Sequence, residues 1–169
     1  MIVGCYLHNL LKKENDMRYL FLCLCLLAHP LHAEMAPREG WTVMPTQKSY
    51  DDLIAAVRAS AGANSMGVVT QAGPTGAARN RGITIPGNRV IGLFNNIYAV
   101  RILGLSTAAM IEAPIRMYVT ENADGTASLS YKKPSTVFAP YMDEAGSDLV
   151  TAAAELDVIF QAIADGAAQ

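Results

Sequence analysis

Two alternating runs joined by an Asp-Gly turn constrain this chain most. Ile115, Met117 and Val119 alternate with Arg116, Tyr118 and Thr120; further on, Ala127, Leu129 and Tyr131 alternate with Ser128, Ser130 and Lys132. A period of two puts each apolar set on one face of a strand. Between the runs lies Asn122-Ala-Asp-Gly125, whose glycine tolerates the positive φ of a tight hairpin. An antiparallel pair with one apolar face needs a cover on that face, and the rest of the chain has to supply it.

The last segment supplies the clearest cover. Leu149, Ala152, Ala153, Leu156, Ile159, Phe160 and Ile163 recur at helical spacing, with Glu155, Asp157 and Gln161 off that face and Asp165-Gly166 as a stop. A second helix starts at Ser49, which caps it, with Asp52 at the third helical position; Leu53, Ala56, Val57 and Ala61 follow before Gly62. Gly40–Met44 reads as a strand that Pro45 assigns to an edge or an end. Met66–Thr70 reads as a short buried strand and Arg89–Phe94 as a stronger one. Gly73–Gly76 and Pro86–Asn88 are turns, and Ala77–Arg81 makes one or two helical turns before Gly82. The order shows no regular strand-helix-strand alternation. The expected class is α+β: a mostly antiparallel sheet with helices packed on one face.

Near the N-terminus, Arg18 precedes the uncharged run Tyr19–Leu27, Pro30 breaks it, and Leu31-His32-Ala33 offers a small residue for cleavage. The run is about half of the roughly 20 residues a membrane-spanning helix needs. Residues 1–33 are therefore expected to be an upstream extension and a cleaved secretory signal, with either Met1 or Met17 as the start and cleavage after Ala33. Residues 34–169 form a single domain, periplasmic or secreted, with no stable membrane insertion after cleavage.

All three histidines and all three cysteines lie within the first 32 residues. The mature domain is thereby denied histidine metal sites, cysteine nucleophiles, Ser–His catalysis and disulfides. Its 10 Lys and Arg against 13 Asp and Glu leave a net charge of −3, which attracts no nucleic acid. Six methionines, Met35, Met44, Met66, Met110, Met117 and Met142, are scattered without ligand spacing, as core filling would have them. No metal and no cofactor are expected.

Phe94-Asn95-Asn96, Glu112-Ala-Pro-Ile-Arg116, Asp124-Gly125 and Tyr131-Lys-Lys-Pro134, in this order, resemble the domain-of-unknown-function-302 family. The resemblance runs from about Trp41 to Ile163. It implies a saddle-like architecture similar to the TATA-binding protein, often dimeric in crystals, with no established reaction. Where the family carries a Phe-Gly-Asn-Pro box, this chain reads Phe94-Asn95-Asn96-Ile97. Where many relatives have an Asp-His pair, it has Thr70-Gln71-Ala72.

The candidate ligand-binding residues are Asn95, Asn96, Glu112, Arg116, Tyr131, Arg79 and Arg81. Arg79-Asn80-Arg81 beside Gly76 and Gly82 is either a solvated basic turn or an anion cradle. Asn95 and Asn96 follow an apolar strand, where side-chain amides tie down backbone or fix a ligand. Glu112 and Arg116 flank Pro114 and are expected to pair. Tyr131 belongs to the core with a satisfied hydroxyl, or presents that hydroxyl to a cleft. The stretch Ile97–Ile111 is buried core, or else a partly exposed patch that closes a homodimer or grips an apolar ligand. The expected function is an exported, non-enzymatic domain binding an unknown small molecule or protein partner. The alternatives are an enzyme working with Arg116, Glu112 and Tyr131 in one cleft, or a structural homo-oligomer.

Overall fold

The computed structural model describes residues 35–169, so the expected signal segment lies outside the described residues. Five strands, β1 (Trp41–Ser49), β2 (Gly67–Ala72), β3 (Asn88–Phe94), β4 (Ile115–Glu121) and β5 (Thr126–Lys132), form one sheet. Their order is β1-β5-β4-β3-β2, and every neighbouring pair is antiparallel. The α+β expectation holds. The hairpin joins β4 to β5 with Gly125 at φ 85°, where a side chain would be strained.

Helix α1 (Tyr50–Ala63) connects strands at opposite edges of the sheet, so it must cross one face. Ser49 caps it: the Ser49 hydroxyl oxygen accepts from the Asp52 amide at 3.3 Å and the hydroxyl donates to Asp52 Oδ2 at 2.7 Å. The sequence predicts a variant of the capping box, and the first half of it forms; the Asp52 carboxylate accepts from the Ser49 hydroxyl rather than from the Ser49 backbone amide. Leu53, Val57 and Ala61 point inward and are fully buried. The short helix α2 (Thr75–Asn80) precedes β3, and α3 (Asn96–Leu105) follows it. After the turn Ala109–Glu112 and the β4–β5 hairpin come α4 (Pro134–Phe138) and the long α5 (Met142–Ala168). Gly146 at φ 69° breaks α5 near its start, and the helix runs past Gly166 to Ala168.

The core lies between the sheet and α1 with α5. Ile91, Leu93, Met117, Val119, Leu129 and Tyr131 from the sheet meet Leu53, Val57, Leu149, Leu156, Phe160 and Ile163 from the helices. Each such side chain contributes about 1.5–3 kcal/mol when withdrawn from water. Among the described residues, no helix is long and apolar enough to cross a membrane.

The sheet departs from the sequence reading in two strands. β1 extends beyond Pro45 to Ser49, and its register shifts between those residues. Edge placement makes this possible, because Pro45 supplies no ladder N–H. β2 is the other edge, and all its residues except Val68 are exposed. The buried Met66–Thr70 strand expected from its apolar run is therefore an edge strand, with Met66 alone buried.

Candidate functional site

Helices cover one face of the sheet and leave a cleft of about 490 Å³ on the other. Alternation builds it. Because Met117 and Val119 of β4 point into the core, Arg116 and Tyr118 point the opposite way. By the same rule Ser130 and Lys132 of β5 and Asn88 and Val90 of β3 join them. Trp41 of β1 closes one side, while Glu112 and Val137 reach in from the turn before β4 and from α4.

Charge is unevenly placed in this cleft. Lys132 Nζ lies 5.6 Å from the centroid of the Trp41 ring, and Arg38 Cζ lies 5.7 Å from the same ring. Both positions are within cation–π range. The one ion pair among the described residues is Arg101–Glu155 on the helix side. Arg38, Arg116 and Lys132 thus have no carboxylate within 4.0 Å among the described residues. The expected Glu112–Arg116 pair does not form. Glu112 instead accepts a hydrogen bond from the Tyr141 hydroxyl at 2.9 Å. That bond to a carboxylate, and then burial, raise the Tyr141 pKa.

Tyr131 borders the cleft, but its hydroxyl lies in the helix layer and donates to Gln161 Oε1 at 3.1 Å. Its ring packs on Phe160, with centroids 5.7 Å apart, and burial pushes its pKa up. Glu112 and Arg116 therefore share the cleft while the Tyr131 hydroxyl faces away from it. The catalytic trio of Arg116, Glu112 and Tyr131 is not assembled.

The remaining candidates lie elsewhere. Asn95 caps α3: its Oδ1 accepts from the Ile97 and Tyr98 amides at 2.9 and 3.2 Å, and its Nδ2 donates to the Ser65 carbonyl at 2.9 Å. All its polar atoms serve the backbone, and Asn96 is the first residue of the helix. Arg79 lies in the last turn of α2, and Arg81 is its exposed C-cap. Neither lines the cleft.

Sequence reasoning missed Trp41, Lys132 and Tyr118 as residues of the cleft. For Tyr118 and Lys132 the signal lay in the polar half of the alternation, which reads as a solvated face until the strand order brings β1, β3, β4 and β5 together.

The apolar stretch Ile97–Ile111 divides. Ala99, Ile102 and Ala109 are buried, whereas Ile97 and Ile111 are 78% and 80% exposed. The stretch thus contributes both to the core and to the exposed surface.

These features define an α+β domain with an antiparallel sheet, helices on one face and a basic, aromatic cleft on the other. The family model "Domain of unknown function DUF302" matches residues 42–164, and the chain belongs to that family. Its fold is similar to the crystal structure of an uncharacterized conserved DUF302 protein from Bacillus stearothermophilus, with a TM-score of 0.68 and 17% identity. That match covers 78% of this chain and 100% of the other. A search of curated proteins finds no match.

Proposed function

We propose that this chain is an exported, non-enzymatic domain that holds a small molecule in the cleft on the open face of its sheet. One observation carries the reading: Trp41, Arg116 and Lys132 converge on a recess of about 490 Å³, within the usual size of ligand sites. Export is supported by the Arg18–Ala33 segment, and the absence of His and Cys after residue 32 removes the commonest catalytic groups. The test is native mass spectrometry of the protein recovered from the periplasm without refolding. A small molecule retained by the wild type and lost from Trp41→Ala supports the reading. Equal retention by both proteins moves the site elsewhere and overturns it.

A second reading rests on α3. Ile97, Val100 and Leu103 recur every three residues and are all exposed. We propose that this row closes a homodimer.

A further inference from the structure

We infer that the cleft selects a small organic anion with a flat apolar body, such as an aromatic carboxylate or its sulfonate counterpart. The inference rests on the cleft-binding reading above and adds the chemical class of the ligand.

Charge points to the anion. Arg116 and Lys132 against Glu112 leave the recess with a formal charge of +1, and Arg38 adds a further cation beside the Trp41 ring, in a chain whose net charge is −2. Positive charge gathered in a concavity of an acidic protein attracts a small anion, whereas a long polyanion also meets the negative remainder of the surface. The cations are held in place without being neutralised. Arg38 and Lys132 lie against the Trp41 ring and have no carboxylate within 4.0 Å among the described residues. An incoming carboxylate gains charge-assisted hydrogen bonds and has no existing ion pair to break, and Arg116 offers the planar fork suited to it.

Shape points to the flat body. Trp41 and Tyr118 bring aromatic surface to the recess, and Val90 and Val137 add aliphatic wall. Offset or edge-on contact with aromatic side chains favours a ring over a branched chain.

The probes are 1-naphthoate and its uncharged isostere 1-naphthamide, titrated into the whole protein by calorimetry. In parallel, the indole N–H resonance of Trp41, the chain's single tryptophan, reports where they bind. The expected result is a saturable shift of that resonance by 1-naphthoate, with affinity at least about tenfold above that of 1-naphthamide. Arg116→Gln and Lys132→Gln each weaken naphthoate by about tenfold. The double variant Arg79→Gln/Arg81→Gln binds as the wild type does. Amide spectra of each variant confirm its fold.

Equal binding of naphthamide and naphthoate overturns anion selection and leaves the cleft as a ligand site. Failure of both probes to move the indole resonance overturns the flat-anion assignment, and equal retention by the wild type and Trp41→Ala in the native mass spectrum separately overturns the cleft reading. An oligothymidylate that displaces naphthoate and binds more tightly overturns the small-anion assignment in favour of single-stranded nucleic acid.

Discussion

Trp41 and Lys132 stand directly opposite one another across the β1–β5 pair, with Lys132 Nζ 5.6 Å from the centre of the Trp41 ring. Cross-strand partners on one face of a sheet lie close enough to interact through their side chains. Here the pairing fixes a cation beside the cleft and gives an edge strand an aromatic contact with its inner neighbour. Lys132→Met keeps the side chain's length and removes the charge. It is expected to lower stability by about 0.5–1 kcal/mol, the scale of an exposed cation–π contact. The emission of Trp41 reports the change locally, and urea denaturation measures it globally. No change in either would mean that the lysine samples other positions in solution.

Glu155 joins α5 to α3. Its Oε2 accepts from Arg101 Nη1 at 2.6 Å and from the Tyr98 hydroxyl at 3.1 Å. The Arg101 hydrogen bond, then the Tyr98 one, hold the Glu155 carboxyl below its usual pKa. Burial first, and then the Glu155 hydrogen bond, raise the Tyr98 pKa. A depressed carboxylate pKa contributes stability above the unfolded value, about 4.3 for glutamate, and loses it as pH falls through the folded value. Glu155→Gln is therefore expected to have a lower Tm than the wild type at neutral pH, with the gap closing below about pH 4. The pair is solvent-exposed and the gap small. A gap that widens in acid would contradict the assignment.

The Ser49 cap was legible in the sequence before any fold was known, because capping chemistry is local. Ser49→Ala removes the acceptor of the Asp52 amide and is expected to cost about 1 kcal/mol. Ser49→Gly is expected to cost only a few tenths. Urea midpoints for the two variants check both values, and equal losses would show that the cap contributes through something other than its hydroxyl.

The same locality explains which other features could be read ahead. Asp124-Gly125 set the hairpin, and the spacing from Leu149 to Ile163 set the buried face of α5, since each depends on residues a few positions apart. What could not be read depends on strand order. Met66–Thr70 resembles a buried strand until β2 is placed at the sheet edge, where only one neighbour covers it. Ser128 and Ser130 fall on the polar phase of their strand but are buried. They sit on β5 between larger residues, with Val43 and Tyr118 flanking Ser130 and Pro45 and Thr120 flanking Ser128. The cleft has the same origin. Its lining comes from several strands, and the Glu112 carboxylate is bonded to Tyr141, 29 residues further on, rather than to Arg116.

The exposed side of α3 gives the sharpest test of assembly. Ile97, Val100 and Leu103 are 78%, 63% and 48% exposed, while the helix buries only Ala99 and Ile102. The row is held rigidly, since Asn95 caps the helix and Arg101 and Tyr98 tie it to α5 through Glu155. Branched aliphatic side chains left in water forgo about 1.5–3 kcal/mol each relative to full burial, enough in combination to favour a partner face. Because Ile97 and Val100 are mostly exposed, Ile97→Asp/Val100→Asp should change monomer stability by no more than about 0.5 kcal/mol per site. Light scattering coupled to size exclusion is expected to show the wild type as a dimer at micromolar concentration and the double variant as a monomer with an unchanged far-ultraviolet spectrum. A monomeric wild type would sink the idea that α3 closes a homodimer. A dimer that survives both aspartates would move the interface to another face of the domain.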